Sequence, residues 1–254
     1  MKHIFHIFLC FYMVGLLAMS PCNAEEKENT QSVFVAPASI PTDIITRMNE
    51  SKKSFITELN EVIKSDKDNL LIFVDKNHEL SSNFVPSDLV SLTKGKSYTI
   101  GRKDLSLRIP AEKALEQMAL AARKEGITLL ASSTYRSYAY QKVVYNRNVR
   151  EMGQKAADRE SARPGTSQHQ LGTVVDFGSI TDEYANTQAG KWLAQHAGEY
   201  GWSLSFPEGY ESVTGYRWEC WHYRYIGRAA VDFQKKWFDD IQQYMLEFID
   251  AWKN

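Results

Sequence analysis

Apolar residues recur at three- and four-residue steps in several stretches of the chain, which is the spacing of one face of a helix. The first stretch runs from Ile45 to Ile63 and predicts an amphipathic helix over 42–65 that packs on the main domain. The last runs from Phe233 to Trp252, in a C-terminal helix expected over 228–252, and its stripe is typical of core packing. Further helices are expected over 110–124, 138–152 and 189–200.

Shorter apolar runs predict strands, which we expect at 70–74, 127–132, 173–177 and 218–226, with a short one near 98–100 in a region of long loops. Alternation along 173–177 puts Asp176 on the same face as Val174, and His169 lies in the loop before this strand. In a regular strand, Glu219 and His222 would point to opposite faces. A bulge or turn near Cys220 is therefore expected if both side chains reach one site.

The N-terminal residues differ from the rest in composition. A weakly positive start, an apolar run too short to span a bilayer comfortably and small residues before Ala24 predict a secretory signal peptide over 1–24. A retained membrane anchor and a lipidated Cys22 are the alternatives. Residues 25–41 are polar and predict a flexible tether, and the main domain would cover 66–254.

Composition narrows the class of protein. A chain of 254 residues is long enough to bury a substantial core, and its length is typical of one domain with or without appendages. Its composition, 43% hydrophobic and 24% charged, is unlike that of a disordered or transmembrane chain. The formal net charge of −1 argues against a nucleic-acid-binding protein. Two of the three cysteines lie in the predicted signal peptide, so Cys220 has no partner for an internal disulfide. Its role is left open between a buried filler and a metal ligand.

The candidate chemistry lies in two short stretches, one holding His169 and Asp176, the other Glu219 and His222. Two imidazoles and one carboxylate suit a zinc ion, and three protein ligands leave a fourth position for water. Glu219 is then a spare carboxylate that could take a proton from that water. The two spacings, His-x6-Asp and Glu-x2-His, are each common by chance, so spacing alone leaves the metal site undecided.

The residues around these four resemble a known family. The stretches Ser167-x-His169-x-x-Gly172-x-Val174-x-Asp176 and Glu219-x-Trp221-His222 are similar to the two motifs of the VanY-type zinc D-alanyl-D-alanine carboxypeptidases. That family is grouped with D-Ala-D-Ala dipeptidases, lysostaphin-like peptidases and the hedgehog signalling domain. Val174 replaces the usual Ala, and Cys220 stands where Pro is common. Neither departure removes a catalytic atom.

The resemblance implies a role for each candidate residue. His169, Asp176 and His222 would bind one Zn²⁺ ion, and Glu219 would be the general base. Upstream, the segment from Thr134 to Gln141 resembles the family's Tyr-Arg-Ser segment with its Gln. It implies that Arg136 holds a substrate carbonyl or carboxylate and that Gln141, with Ser167, lines the bound peptide. The implied fold is α+β, with helices packed on a small antiparallel sheet that carries the zinc.

The implied function is an exported zinc metallo-carboxypeptidase that removes the terminal D-alanine from peptidoglycan stem peptides ending in D-Ala-D-Ala. An L,D-carboxypeptidase acting on tetrapeptide stems is the alternative, followed by an endopeptidase and a non-catalytic zinc-binding module. The intact Glu219 and Arg136 argue against a module kept only for binding. No serine nucleophile is implied, so a β-lactam should not acylate the site. We expect no membrane span in the mature chain. The sequence carries no signal for an oligomeric state.

Overall fold

The computed structural model describes residues 36–253. The predicted signal peptide, at 1–24, and the first part of the predicted tether, 25–35, lie outside the described residues. The helices are α1 (Thr42–Glu50), α2 (Lys52–Ser65), α3 (Ile109–Lys124), α4 (Tyr138–Met152), α5 (Gln154–Glu160), α6 (Gln188–His196), α7 (Glu211–Thr214), α8 (Arg228–Trp237) and α9 (Gln242–Lys253). The strands are β1 (Leu89–Ser91), β2 (Thr99–Ile100), β3 (Ser106–Arg108), β4 (Leu130–Ser133), β5 (Val174–Phe177), β6 (Trp202–Leu204) and β7 (His222–Tyr225). None of these helices combines the length and apolar composition needed to cross a membrane.

Two helices that the sequence predicts as continuous are each divided in two. The helix predicted over 42–65 is interrupted at Ser51. The helix predicted over 228–252 is interrupted between α8 and α9, where Asp239 and Asp240 adopt φ values of 51° and 61°. Left-handed backbone cannot continue a right-handed helix, and Asp is among the residues that tolerate it. The side-chain amide of Gln234 stabilises the break by donating to the Asp240 carbonyl oxygen at 2.9 Å.

A five-stranded sheet with the order β2-β4-β5-β7-β6 forms the centre of the fold. The pairs β4–β5, β5–β7 and β7–β6 are antiparallel, as expected. Strand β2 runs parallel to β4, so the expectation of an antiparallel sheet is wrong for this edge strand. The mixed α+β class is confirmed. A second sheet of two antiparallel strands, β1 and β3, lies in the region predicted as long loops.

The predicted strand at 70–74 is wrong. Leu70, Leu71 and Val74 are buried, but this segment pairs with no strand of the described chain. One guanidinium nitrogen of Arg224, Nη2, donates to the carbonyl oxygens of Leu70 and Ile72, each at 2.7 Å. A side chain therefore meets the hydrogen-bonding need that a neighbouring strand would otherwise meet.

The two faces of the central sheet differ in polarity. One face carries Val175, Phe177, Trp202 and Tyr223, which pack in an apolar cluster with α3. The helix predicted over 110–124 is α3, and Leu115, Met118, Ala119 and Ala122 form its buried face there. Because side chains alternate along a strand, the opposite face carries Asp176, His222, Arg224 and Ser203. A second apolar cluster joins α1 and α2 to α8 and α9.

Candidate metal centre

A short 3₁₀ turn over Gln168–Leu171 positions His169. The Ser167 hydroxyl accepts the backbone N–H of His169 at 3.3 Å, which caps the start of the turn. Gly172 ends it with φ 69°, and a Cβ built there would lie 2.9 Å from Cδ2 of Leu89. A side chain at 172 would be strained by both the backbone and its neighbour, so glycine is needed to hold this turn against β1.

Strand register places the other imidazole. Asp176 in β5 lies directly across from His222 in β7. A turn at Cys220 and Trp221 precedes β7, and the backbone N–H of His222 donates to the carbonyl oxygen of Glu219 at 3.1 Å. This turn, which the sequence predicts near Cys220, lets the side chains of Glu219 and His222 reach the same site.

The four side chains meet at short distances. Nε2 of His169 lies 3.2 Å from Oδ2 of Asp176, and Nδ1 of His222 lies 3.1 Å from Oδ1 of the same carboxylate. Glu219 Oε2 is 3.3 Å from His222 Nδ1. One donor atom from each of His169, Asp176 and His222 can be chosen so that all lie within 4.8 Å of one another. All four residues are buried.

The hydrogen bonds around these side chains fit a metal ion. Nδ1 of His169 lies 2.7 Å from the carbonyl oxygen of Thr134, which can only accept, so this nitrogen carries the proton and Nε2 offers a lone pair. Nε2 of His222 lies 3.3 Å from Oε1 of Gln168, which leaves Nδ1 facing the cluster. Among residues 36–253, His169 Nε2 and Asp176 Oδ1 are buried, and their nearest polar neighbours belong to the cluster itself, at 3.2 and 3.1 Å. Nitrogen and oxygen atoms that lie this close together in a buried site form a donor set that a zinc ion can coordinate.

The electrostatic environment differs between the two imidazoles. Burial, together with the nearby Arg136 guanidinium, lowers the pKa of His169 to about 4. For His222, burial acts in the same direction, but hydrogen bonds with the Asp176 and Glu219 carboxylates overcome it and raise the pKa to about 9. Burial raises the pKa of Glu219. In the metal-free protein His222 therefore holds a proton, on the nitrogen that faces the two carboxylates, that a metal ion would displace.

Arg136, Gln141 and Ser167 lie beside this cluster. Together with the four residues above, they line one cavity of about 340 Å³. Nη1 of Arg136 donates to Oε1 of Gln141 at 3.0 Å, and the Gln141 amide donates to the carbonyl oxygen of Ala162 at 2.7 Å. Nη2 of Arg136 is 3.6 Å from Oδ2 of Asp176, which is too long for a hydrogen bond. The structure thus brings together all seven residues that the resemblance singles out.

Two residues near the cluster were not identified from the sequence. Thr134 accepts from His169 through its backbone carbonyl, and Gln168 contacts His222 through its side chain. Both lie inside the recognised stretches, but a backbone contact and a glutamine carry no signal in a spacing pattern. Cys220 belongs to the apolar cluster instead, and its thiol donates weakly to the carbonyl oxygens of Thr181 and Asp182 at 3.6 and 3.7 Å. It is a buried filler and not a member of the cluster of candidate ligands.

Comparison with known proteins gives consistent matches. The family model for VanY, D-alanyl-D-alanine carboxypeptidase, matches residues 104–228. The chain is 37% identical over 169 residues to the putative carboxypeptidase YodJ of Bacillus subtilis (strain 168), covering 64% of this chain and 62% of YodJ. It therefore spans less than two thirds of that relative's length.

Solved structures match over a longer part of the chain. The LdcB LD-carboxypeptidase superposes with a TM-score of 0.64 at 32% identity, over 72% of this chain and 88% of LdcB. VanY from a VanB-type resistance cassette, solved in complex with Zn(II), superposes with a TM-score of 0.56 at 25% identity, over 72% of this chain and 98% of that one.

Proposed function

Because the chain belongs to the VanY-type family of D-alanyl-D-alanine carboxypeptidases, we propose that it is an exported zinc carboxypeptidase that removes the terminal D-alanine from peptidoglycan stem peptides. The observation that carries the proposal is the buried cluster of His169, Asp176 and His222, with Glu219 beside it in a cavity that Arg136 also lines. This set contains metal ligands, a proton acceptor and a cation, which are the groups that metal-assisted peptide hydrolysis needs.

The metal would be held by Nε2 of His169, Nδ1 of His222 and the carboxylate of Asp176. When bound, zinc supplies Lewis acidity, which polarises the scissile carbonyl and acidifies water. Both histidines already make a hydrogen bond through their other ring nitrogen, to Thr134 and to Gln168. Such bonds fix the ring orientation before a metal arrives and determine which ring nitrogen faces it.

Glu219 acts as the proton carrier. Its carboxylate takes a proton from the attacking water and then gives it to the amine nitrogen of the departing D-alanine, so that the C–N bond breaks without an unprotonated leaving group. Burial favours this role because it raises the pKa of the side chain and makes the carboxylate a stronger base.

Arg136 orients the substrate. A guanidinium keeps its positive charge at any physiological pH and offers several donors in a plane, which match a carboxylate. Gln141 occupies one of these donors and is itself anchored on Ala162, so the guanidinium is held in place before the peptide binds. The remaining donors are available to the C-terminal carboxylate of a peptide, which favours cleavage at the last peptide bond over internal cleavage.

Two specificities share this chemistry. Removal of D-alanine from D-Ala-D-Ala follows the description of the family whose model matches the chain. Removal of D-alanine from a tetrapeptide stem, the L,D alternative, is favoured by a different observation. LdcB, an LD-carboxypeptidase, superposes better than the zinc-bound VanY, with TM-scores of 0.64 and 0.56, and is also the more similar in sequence.

Mass spectrometry of stem peptides tests the proposal. Purified residues 25–254 are incubated separately with pentapeptide and tetrapeptide, with and without a chelator. Loss of one alanine from the pentapeptide alone, abolished by the chelator, identifies the D,D-carboxypeptidase, and loss from the tetrapeptide alone identifies the L,D enzyme. Cleavage only at internal bonds would identify an endopeptidase. No cleavage of either peptide by zinc-loaded protein would overturn the proposal.

Export follows from the substrate, which lies outside the cytoplasm, and from the signal peptide predicted over 1–24. N-terminal sequencing of the protein recovered from its producing cells tests this directly. A mature chain beginning at Glu25 supports cleavage of the signal peptide. An intact N-terminus found in the membrane fraction would instead support the retained anchor.

A further inference from the structure

A buried row of polar side chains leads from His222 to the beginning of α9. Nε2 of His222 lies 3.3 Å from Oε1 of Gln168, and Nε2 of Gln168 donates to Oε1 of Gln242 at 3.5 Å. The Ser205 hydroxyl donates to the same Gln242 oxygen at 3.3 Å. Gln168, Gln242 and Ser205 are only 6%, 1% and 2% exposed. Their side chains must therefore satisfy their hydrogen-bonding groups with one another and not with bulk water.

The far end of the row is tied to the sheet. Gln242, the first residue of α9, donates through Nε2 to the backbone carbonyl oxygen of Ser203 in β6 at 3.4 Å. The backbone N–H of Ser205 donates to the carbonyl oxygen of His222 at 3.2 Å. Gln242 and Ser205 are therefore held at fixed places beside the strand that carries the histidine.

The order of donors and acceptors allows one orientation of each amide. A backbone carbonyl can only accept, so the Gln242 NH₂ group must face Ser203, and its oxygen must face Gln168. The Gln168 NH₂ group then faces Gln242, and its oxygen faces His222. An oxygen at this position requires a proton on Nε2 of His222, which leaves Nδ1 to face the metal.

His169 obtains the same control in a simpler way, from the backbone carbonyl of Thr134 at 2.7 Å. A backbone carbonyl cannot rotate, whereas a free glutamine amide can present either end to its neighbour. The row from Gln168 to Ser203 removes that freedom.

We propose that Gln168 and Gln242 are positioning residues that fix the tautomer and ring orientation of His222, and that α9 thereby supports the metal centre. The inference rests on the proposed metal-dependent function. It also extends the site to a residue outside 104–228, the part of the chain that the family model matches.

The affinity for zinc, measured by competition with a chromophoric chelator on residues 25–254, tests the inference. Gln168→Met keeps the length of the side chain but lacks the acceptor, and we expect its zinc affinity to fall by about 10- to 100-fold, as for other groups that orient metal-bound histidines. Gln168→Glu keeps the acceptor for Nε2 of His222 but loses the donor to Gln242, so its zinc affinity should fall by less than that of Gln168→Met. Gln242→Met should weaken binding in the same direction and by less.

Gln243→Met is the matched control. Gln243 neighbours Gln242, is also buried, and bonds away from the row, to the Asp75 carboxylate at 3.0 Å. Its zinc affinity should not change. The visible absorption of the Co²⁺-loaded protein gives a second readout, because it responds to ligand geometry. The bands should shift in Gln168→Met and stay in place in Gln243→Met.

The outcomes separate the inference from the function on which it rests. Unchanged zinc affinity and an unchanged Co²⁺ spectrum in Gln168→Met would overturn the inference and leave the function standing. A changed KM with unchanged zinc affinity would also overturn it, because it would make Gln168 a substrate contact. If the unaltered protein bound no zinc, both would fall. Should Gln168→Met fail to fold, as judged by thermal unfolding of the zinc-free protein, Gln242→Met carries the same test.

Discussion

Replacement of Glu219 by glutamine separates proton transfer from metal binding. Glutamine has nearly the same shape, so the buried site, where Glu219 is 8% exposed, keeps its packing. Oε2 of Glu219 lies 3.3 Å from Nδ1 of His222 but is not needed to complete the set of His169, Asp176 and His222. The variant should therefore retain its zinc ion while losing the group that moves the proton.

The size of the expected loss follows from the role. General acid–base catalysis contributes about 10²–10⁴-fold, or about 2.7–5.4 kcal/mol of activation free energy. In the proposed mechanism the same group would serve both the attack and the departure of D-alanine, so we expect a loss of kcat near the upper end of this range. KM should change little, because Arg136 and Gln141, which we propose hold the peptide, are unaltered.

The assay measures D-alanine release with an oxidase-coupled reaction and, in the same samples, the zinc content by mass spectrometry. Glu211→Gln is the control, since Glu211 is an exposed partner of Arg159 and lies outside the cavity. A Glu219→Gln variant with one zinc ion and more than a tenth of the original kcat would refute the role of Glu219. Loss of zinc from the variant would show that Glu219 is a ligand instead.

Three further outcomes are expected. Arg136→Ala should lower kcat/KM about 10- to 100-fold, measured on the same peptide, because hydrogen bonds to a charged group contribute about 1.5–3 kcal/mol. Gly172→Ala should lower the free energy of unfolding in urea by at least about 1–2 kcal/mol, because its φ of 69° is left-handed and Leu89 crowds the added carbon; unchanged stability would contradict the strain. Zinc binding at pH 7 should release a proton, because His222, with its pKa raised to about 9, must become neutral to bind the metal. The zinc affinity should therefore fall as the pH falls. Calorimetry in two buffers of different ionisation enthalpy measures the number of protons released.

The parts of the site that depend on local sequence could be predicted. A regular strand would point Glu219 and His222 to opposite faces, so a shared site for both predicts a turn between them. The structure has this turn at Cys220 and Trp221. The helix over 110–124 follows from periodicity together with Pro110, and α3 begins one residue earlier. The family motifs added the grouping of distant residues, which periodicity cannot provide.

The parts that depend on tertiary contacts were missed or wrong. Leu70–Val74 has the composition of a strand, but a buried Arg224 takes the place of a strand partner, and no local pattern reveals this. The helical spacing of apolar residues continues through the break at Asp239 and Asp240, because α8 and α9 both pack on the same apolar cluster. The spacing therefore predicts one helix where the structure has two. Gln242 follows that break and donates to Ser203 in β6, a contact that periodicity does not reveal, so the support that we propose for His222 could not have been found from the sequence.

The most direct test of the proposed metal centre is a zinc titration of the chelated protein, followed by the rate of D-alanine release from the preferred stem peptide. If His169, Asp176 and His222 hold a single catalytic ion, the rate should rise from near zero in proportion to added zinc and stop rising at one ion per chain. Full activity in the chelator, or a rate that fails to return when zinc is restored, would contradict the claim that this cluster is the metal centre of a carboxypeptidase.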